Sequence, residues 1–199
     1  MTQQYADATM DLADEHGLLF YGAGAQIFRG WALIGRGSDQ RAADELRQGL
    51  ATWQATGAKL MAPHFLTLLA ATIPPADDED PGLRVLDDAL VVVEATGEHI
   101  YKAEVCRLRG ERLLRGAPDE ARVCAAEACF AQALAIARRQ DALSLELRAA
   151  MSLARLRRGR ARDELARDVI LPLYQRFKEG FDTHDLLEAR QLLDFDAER

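Results

Sequence analysis

An all-α repeat fold, about ten helices arranged as antiparallel pairs in one domain over residues 1–199, is what three features of this sequence predict. First, Ala126, Phe130, Ala133 and Ala137 stand at i, i+4, i+7 and i+11, which lines up one small, apolar stripe of an α-helix. Alanine favours the helix and lets a neighbouring helix come close, so a partner helix is implied. Second, "EHG" at 15–17, "ATG" at 55–57, "ATG" at 95–97 and "RQD" at 139–141 each end one such stripe and precede another, their last residues 40, 40 and 44 apart. Third, a hydrophobic content of 49% beside 29% charged residues suits a packed helical protein and is too apolar for a disordered one.

Read in order, the helices fall at roughly 2–16, 18–36, 39–56, 59–73, 81–96, 98–115, 119–140, 142–158, 161–179 and 183–194. Gly17, Gly57 and Gly97 supply the left-handed conformation that ends a helix. Pro74 and Pro75 stop the fourth, because proline lacks a donor and disfavours helix just before it. Pro172 lies inside the ninth and predicts a kink or a split, at about 3 kcal/mol for an ideal interior position. Asp182 or Thr183 can cap the last helix, "HDLLEARQLL", whose Leu186, Leu187, Ala189, Leu192 and Leu193 make one apolar face that closes the stack.

Aligned on the junctions, the first helix of each pair carries a small residue at Gly30, Ala70, Gly110 and Ala154. The second helix carries another at Ala42, Gly82, Ala126 and Ala166, then a large one at Leu46, Leu86, Phe130 and Ile170, then Gly49, Ala89, Ala133 and Leu173. The only change of spacing is a four-residue insertion within "GAPDEARV", 116–123. The units are therefore a half repeat at 1–17, pairs at 18–57, 58–97, 98–141 and 142–180, and a closing helix and tail at 181–199. Ala6, Met10 and Ala13 match the second helix of a unit with no first helix ahead of them, so the sequence reads as a fragment that opens halfway through a repeat.

The small-x11-small-x3-large-x2-small arrangement resembles the tetratricopeptide repeat, matched best by Gly110, Ala126, Phe130 and Ala133. That resemblance implies a right-handed α-solenoid, with a modified pitch because the units run to 40 residues rather than about 34. The C-terminal third, "AEACFAQALAIARRQDALSLELRAAMSLARL" followed by "LPLYQRFKEGFDTHDLLEARQLL", is similar to the terminal region of large bacterial signalling proteins, and "LRGERLL", "EGFDT" and, earlier in the chain, "FRGWAL" and "LRQGLATWQATGA" add to the similarity. In those, an adenylate or guanylate cyclase domain, or a DNA-binding regulator domain, precedes a nucleotide-binding ATPase and a long tetratricopeptide-like tail. The resemblance implies a noncatalytic interaction or regulatory scaffold, or an effector-binding sensor, and brings no catalytic residue that maps onto this chain.

Chemistry is sparse in the residues themselves. A net charge of −7 argues against nucleic acid, whose phosphates demand a basic face, and equally against an anionic membrane surface. No leader or spanning segment opens the chain, and Cys106, Cys124 and Cys129 read as reduced thiols, so a cytoplasmic setting is expected. Cys124 and Cys129 lack a zinc-ligand spacing. "YGAGAQIFRG" at 21–30 has no phosphate-loop lysine, no Gly-x-Ser-x-Gly occurs, and His16, His64, His99 and His184 lie in separate units. Neither an enzyme, nor a cofactor, nor a metal site is expected. The acidic "ADDEDPG" and the arginine-rich "RLRRGRAR" read as loops.

Because the resemblance places a binding groove along the first helices, positions counted from each small residue become its candidate lining. These are Ile27, Trp31 and Ile34; His64, Thr67 and Ala71; Glu104, Arg107 and Glu111; and Arg148, Met151, Arg155 and Arg158. An apolar end grades into a basic one. Arg148 and Arg155, two turns apart, could with Arg107 clamp carboxylates, which predicts an acidic protein or peptide partner with an apolar residue beside the acid. The competing reading is that these arginines pair with Glu104, Glu111 and Glu146. Homodimerisation through the unpaired first helix is also expected.

Overall fold

The computed structural model describes residues 1–34, 39–74, 80–158 and 163–194, and all regular structure among them is α-helical. The helices are α1 Thr2–His16, α2 Leu19–Leu33, α3 Asp39–Ala55, α4 Ala62–Thr72 and α5 Pro81–Thr96, then α6 Lys102–Leu113, α7 Glu120–Arg139, α8 Leu143–Arg158, α9 Asp163–Tyr174 and α10 His184–Asp194. They fall into two compact units, Met1–Tyr101 and Lys102–Arg199.

In the first unit each helix packs on the next in sequence, α1 through α5. The closest approach is between α2 and α3, where a Cβ on Gly30 would lie 2.9 Å from Leu46 Cγ and 3.0 Å from the Ala42 carbonyl oxygen. One on Gly49 would lie 2.8 Å from Ile27 Cγ1. The small and large positions thus meet in the register that the spacing predicts. Ile27 is fully buried in this contact, and so belongs to the core and not to a groove. Its neighbour Gly49 has no side chain to hold it off, so Ile27 packs directly on the backbone of α3.

In the second unit the same contact joins α6 to α7, with Gly110 against Phe130 and Ala126. Sequence neighbours pack together, and in addition α6 lies beside α8 and α8 beside α10. First helices of successive pairs are therefore adjacent. Phe130, Leu147 and Ile170 fill the core, closed by Ala126, Ala133 and Ala149.

The helix ends explain most boundary differences. Gly17, Gly57 and Gly97 take φ of 67°, 79° and 71°, and at the fourth junction Asp141 adopts φ 50° without being glycine. Asp80 and Asp119 cap α5 and α7 by accepting from the backbone N–H of Gly82 at 2.9 Å and of Arg122 at 2.8 Å. Met61, at φ 60°, starts α4 three residues later than expected, with Pro63 in its first turn. Pro172 neither splits nor precedes a long continuation of α9: the helix runs through it to Tyr174 and closes with tight i to i+3 bonds from Arg176 to Leu173 and Phe177 to Tyr174. Proline lacks the N–H that would bond to the carbonyl four residues back, so the loss falls on the turn before Pro172 and not on residues 175–179, where Gln175 still donates to the Leu171 carbonyl at 3.1 Å. Thr183 sits at the start of α10, its carbonyl accepting from Leu187 at 3.0 Å. The stretches expected as acidic and arginine-rich loops are in part helical, because α5 begins at Pro81 and α8 runs on to Arg158. Their residues 76–79 and 159–162, together with Pro75, the end of the expected second helix and the side chain of Ala166, lie outside the described residues.

Candidate functional site

The candidate lining of α6 and α8 does come together. Arg107, on the middle turn of α6, donates through Nε to Glu104 Oε2 at 2.8 Å and through Nη2 to Glu104 Oε1 at 2.7 Å. Its Nη1 reaches Glu111, one turn on, and Ser152 Oγ of α8 at 3.3 Å. Ser152 in turn donates to Glu111 at 2.8 Å. Burial opposes the charge on Arg107, but the hydrogen bonds to Glu104 and the negative charges of Glu104, Glu111 and Asp185 outweigh it and raise the guanidinium pKa above its ordinary value. Arg107 is a fixed cation.

Arginines of α8 meet acids of α10. Arg148 Nε donates to Asp185 Oδ2 at 2.6 Å while its Nη1 stands 3.7 Å from Glu104. Arg155 pairs with Glu188. Arg158 donates through Nη2 to the Leu192 carbonyl at 2.8 Å. Glu146, expected as an alternative partner, faces away and binds Arg138 at 2.6 Å and Arg176 at 3.1 Å. The sequence showed the arginines and missed their main counter-charges, although Asp185 and Glu188 stand three apart on one side of α10.

Two hollows open on this face. One, of about 290 Å³, is lined by Arg107, Glu111, Arg148, Met151 and Arg155 together with His184, Asp185 and Glu188. Met151 is buried and can serve only as its floor. The other, of about 520 Å³, shares Glu111 and Arg155 with the first and is walled by Leu114, Pro118, Val123 and Leu156 over Phe130 and Ser152. Pro118 and Val123 of this wall belong to the stretch 116–123 that holds the four-residue insertion.

The candidates of the first unit do not gather in this way. Thr67 is buried, its hydroxyl donating to the His64 carbonyl at 2.6 Å. His64 stacks on Tyr101 with ring centroids 4.3 Å apart. Ala71 is exposed on α4, and Trp31 and Ile34 lie near the end of α2, Trp31 exposed. Instead, α1, α2 and Trp53 of α3 enclose an aromatic hollow of about 480 Å³ that the sequence did not suggest. Its walls include Tyr5, Phe20, Tyr21 and Phe28.

Among the described residues no cluster of His, Cys, Asp or Glu could hold a metal ion, and no helix is long and apolar enough to cross a membrane. Compared with protein-family models and with curated proteins, the chain matches none.

Proposed function

We propose that the chain is a noncatalytic, tetratricopeptide-like module, a right-handed α-solenoid that binds a protein or peptide segment on the face formed by α6, α8 and α10. The observation that carries this reading is the apolar hollow of about 520 Å³ opening directly beside Arg155 and Glu111. An incoming carboxylate can exchange for Glu188 on the half-exposed Arg155, while a neighbouring apolar side chain fills the space between Leu114, Pro118, Val123 and Leu156. The ligand class is then an acidic or carboxylate-ended segment with an apolar residue next to the acid. Selection from a random peptide display library tests it. Enriched sequences should pair Asp, Glu or a free C-terminus with Leu or Phe, and Arg148→Ala with Arg155→Ala should weaken them by roughly 10-fold or more. Binders without an acid, or binders indifferent to that double variant, refute the reading.

The likeness of the sequence to the tails of bacterial cyclase and regulator ATPases supports a scaffold within a cytoplasmic signalling protein, as do its three free cysteines. A second reading, an effector-binding sensor, is favoured by volume, since about 520 Å³ falls within the roughly 300–1,000 Å³ typical of small-molecule sites. Saturable thermal stabilisation by a small carboxylic acid, with no peptide selected, would favour it.

A further inference from the structure

The aromatic hollow of the first unit occupies a place that, in the second unit, a helix fills. By the repeat register Ala6 and Thr9 of α1 correspond to Ala126 and Cys129 of α7, and Gly24 and Phe28 of α2 correspond to Arg148 and Ser152 of α8. Those four positions of α7 and α8 are where α6 sits. Gly110 lies against the Ala126 carbonyl, Arg109 donates to Cys129 Sγ at 3.3 Å, Arg107 reaches Ser152 at 3.3 Å, and Glu104 stands 3.7 Å from Arg148. In the first unit Ala6, Thr9, Gly24 and Phe28 all line the hollow, over the ring of Trp53.

We propose that this hollow receives α1 of a second copy of the chain, and reciprocally, so that α1 and α2 form a two-fold dimer. Three observations select that occupant. Tyr5, Thr9 and Leu12 form a stripe at i, i+4 and i+7, with Tyr5 67% and Leu12 53% exposed. Tyr5 and Thr9 also line the hollow. A stripe that both projects and borders a recess is self-complementary, as a two-fold contact requires.

Charge agrees. Among the described residues no charged side chain lines the hollow, which matters when two copies of net charge −7 meet like to like. Asp7, Asp11 and Asp14 form a separate stripe of α1, and Arg29 lies 3.7 Å from Asp7.

Area agrees as well. Tyr5, Phe20, Tyr21, Phe28 and Trp31 are 38–67% exposed, which at roughly 150–250 Å² per aromatic side chain leaves on the order of 500 Å² of aromatic surface. Leu12, 53% exposed on the stripe of Tyr5 and Thr9, adds to it in the direction of a stable interface, roughly 800 Å² per partner.

Sedimentation equilibrium on the full chain, from about 1 μM to about 200 μM, tests the proposal. The mass should rise to twice that of one chain, and Tyr5→Glu combined with Leu12→Glu should hold it at one chain with unchanged far-ultraviolet circular dichroism. A single-chain mass over the whole range overturns the proposal, and so does a two-chain mass that survives the double variant. Should the variant lose its helicity, amide exchange in the unaltered chain decides. Protection within 2–16 and 19–33 that grows with concentration supports the dimer, and protection independent of concentration overturns it. None of these outcomes bears on the arginine face of the second unit.

Discussion

A Cβ placed on Gly110 would lie 2.5 Å from Cε1 of Phe130 and 3.1 Å from the carbonyl oxygen of Ala126. Phe130 is fully buried, so its ring cannot swing away without disturbing α7.

Gly110→Ala should therefore destabilise the protein by about 1–2 kcal/mol, because overpacking outweighs the gain of about 1 kcal/mol from replacing a helical glycine. At Gly22 a Cβ would meet only the Ala13 methyl at 3.4 Å. Gly22→Ala should be neutral or stabilising by up to about 1 kcal/mol. Urea midpoints of the two variants, shifting in opposite directions or one alone downward, would check the contrast.

Removing Glu104 leaves the mostly covered Arg107, 13% exposed in its side chain, without its two-pronged partner, and Glu104→Ala should cost about 3 kcal/mol. Glu146 is as buried, yet its partners Arg138 and Arg176 are half-exposed and can hydrate once it is gone. Glu146→Ala should cost about 1 kcal/mol. Equal losses on chemical denaturation would contradict this assignment of which partner is stranded.

The pairs joining α8 to α10 are partly exposed, Arg148 at 41% and Arg155 at 38% of their side chains. Arg148→Ala with Arg155→Ala should lower global stability by less than about 1 kcal/mol per pair. Hydrogen exchange should nonetheless quicken selectively in 184–194, since these bonds hold the closing helix and not the core. Uniform acceleration across α6 to α10 would count against it.

Burial, with the nearby Cys129 adding to it, pushes the Cys106 thiol from 9.0 up to about 11. The unfolded chain then ionises this thiol first, so between pH 9 and 11 it binds fewer protons than the folded one and stability falls as pH rises. The loss attributable to Cys106 should reach about 2–3 kcal/mol by pH 11. Cys106→Ala should flatten that part of the stability profile. A native thiol titration should find the exposed Cys124 fast, with Cys106 and Cys129 reacting on unfolding.

Helix number and pairing register were legible because they rest on local chemistry. The stripe of Ala126, Phe130 and Ala133 needs one helix to be recognised, and glycine at 17, 57 and 97 ends a helix whatever surrounds it. The small residues at Gly30 and Gly110 announced close contacts, and their partners Leu46 and Phe130 followed from the repeat. Trouble arose where rotation about a helix axis mattered. Ile27 and Met151 occupy equivalent positions, yet one is pressed onto Gly49 and the other floors a charged hollow.

By itself, then, the sequence determined an all-helical chain, its junctions and the small-on-large contacts within pairs, because backbone propensity and side-chain volume act over a few residues. Only the tertiary structure decided that Arg148 and Arg155 face Asp185 and Glu188, that an apolar hollow lies beside Arg155, and that aromatics gather around Trp53. Charge pairing and cavity shape depend on the relative rotation of helices 30 or more residues apart, which spacing along one helix does not encode.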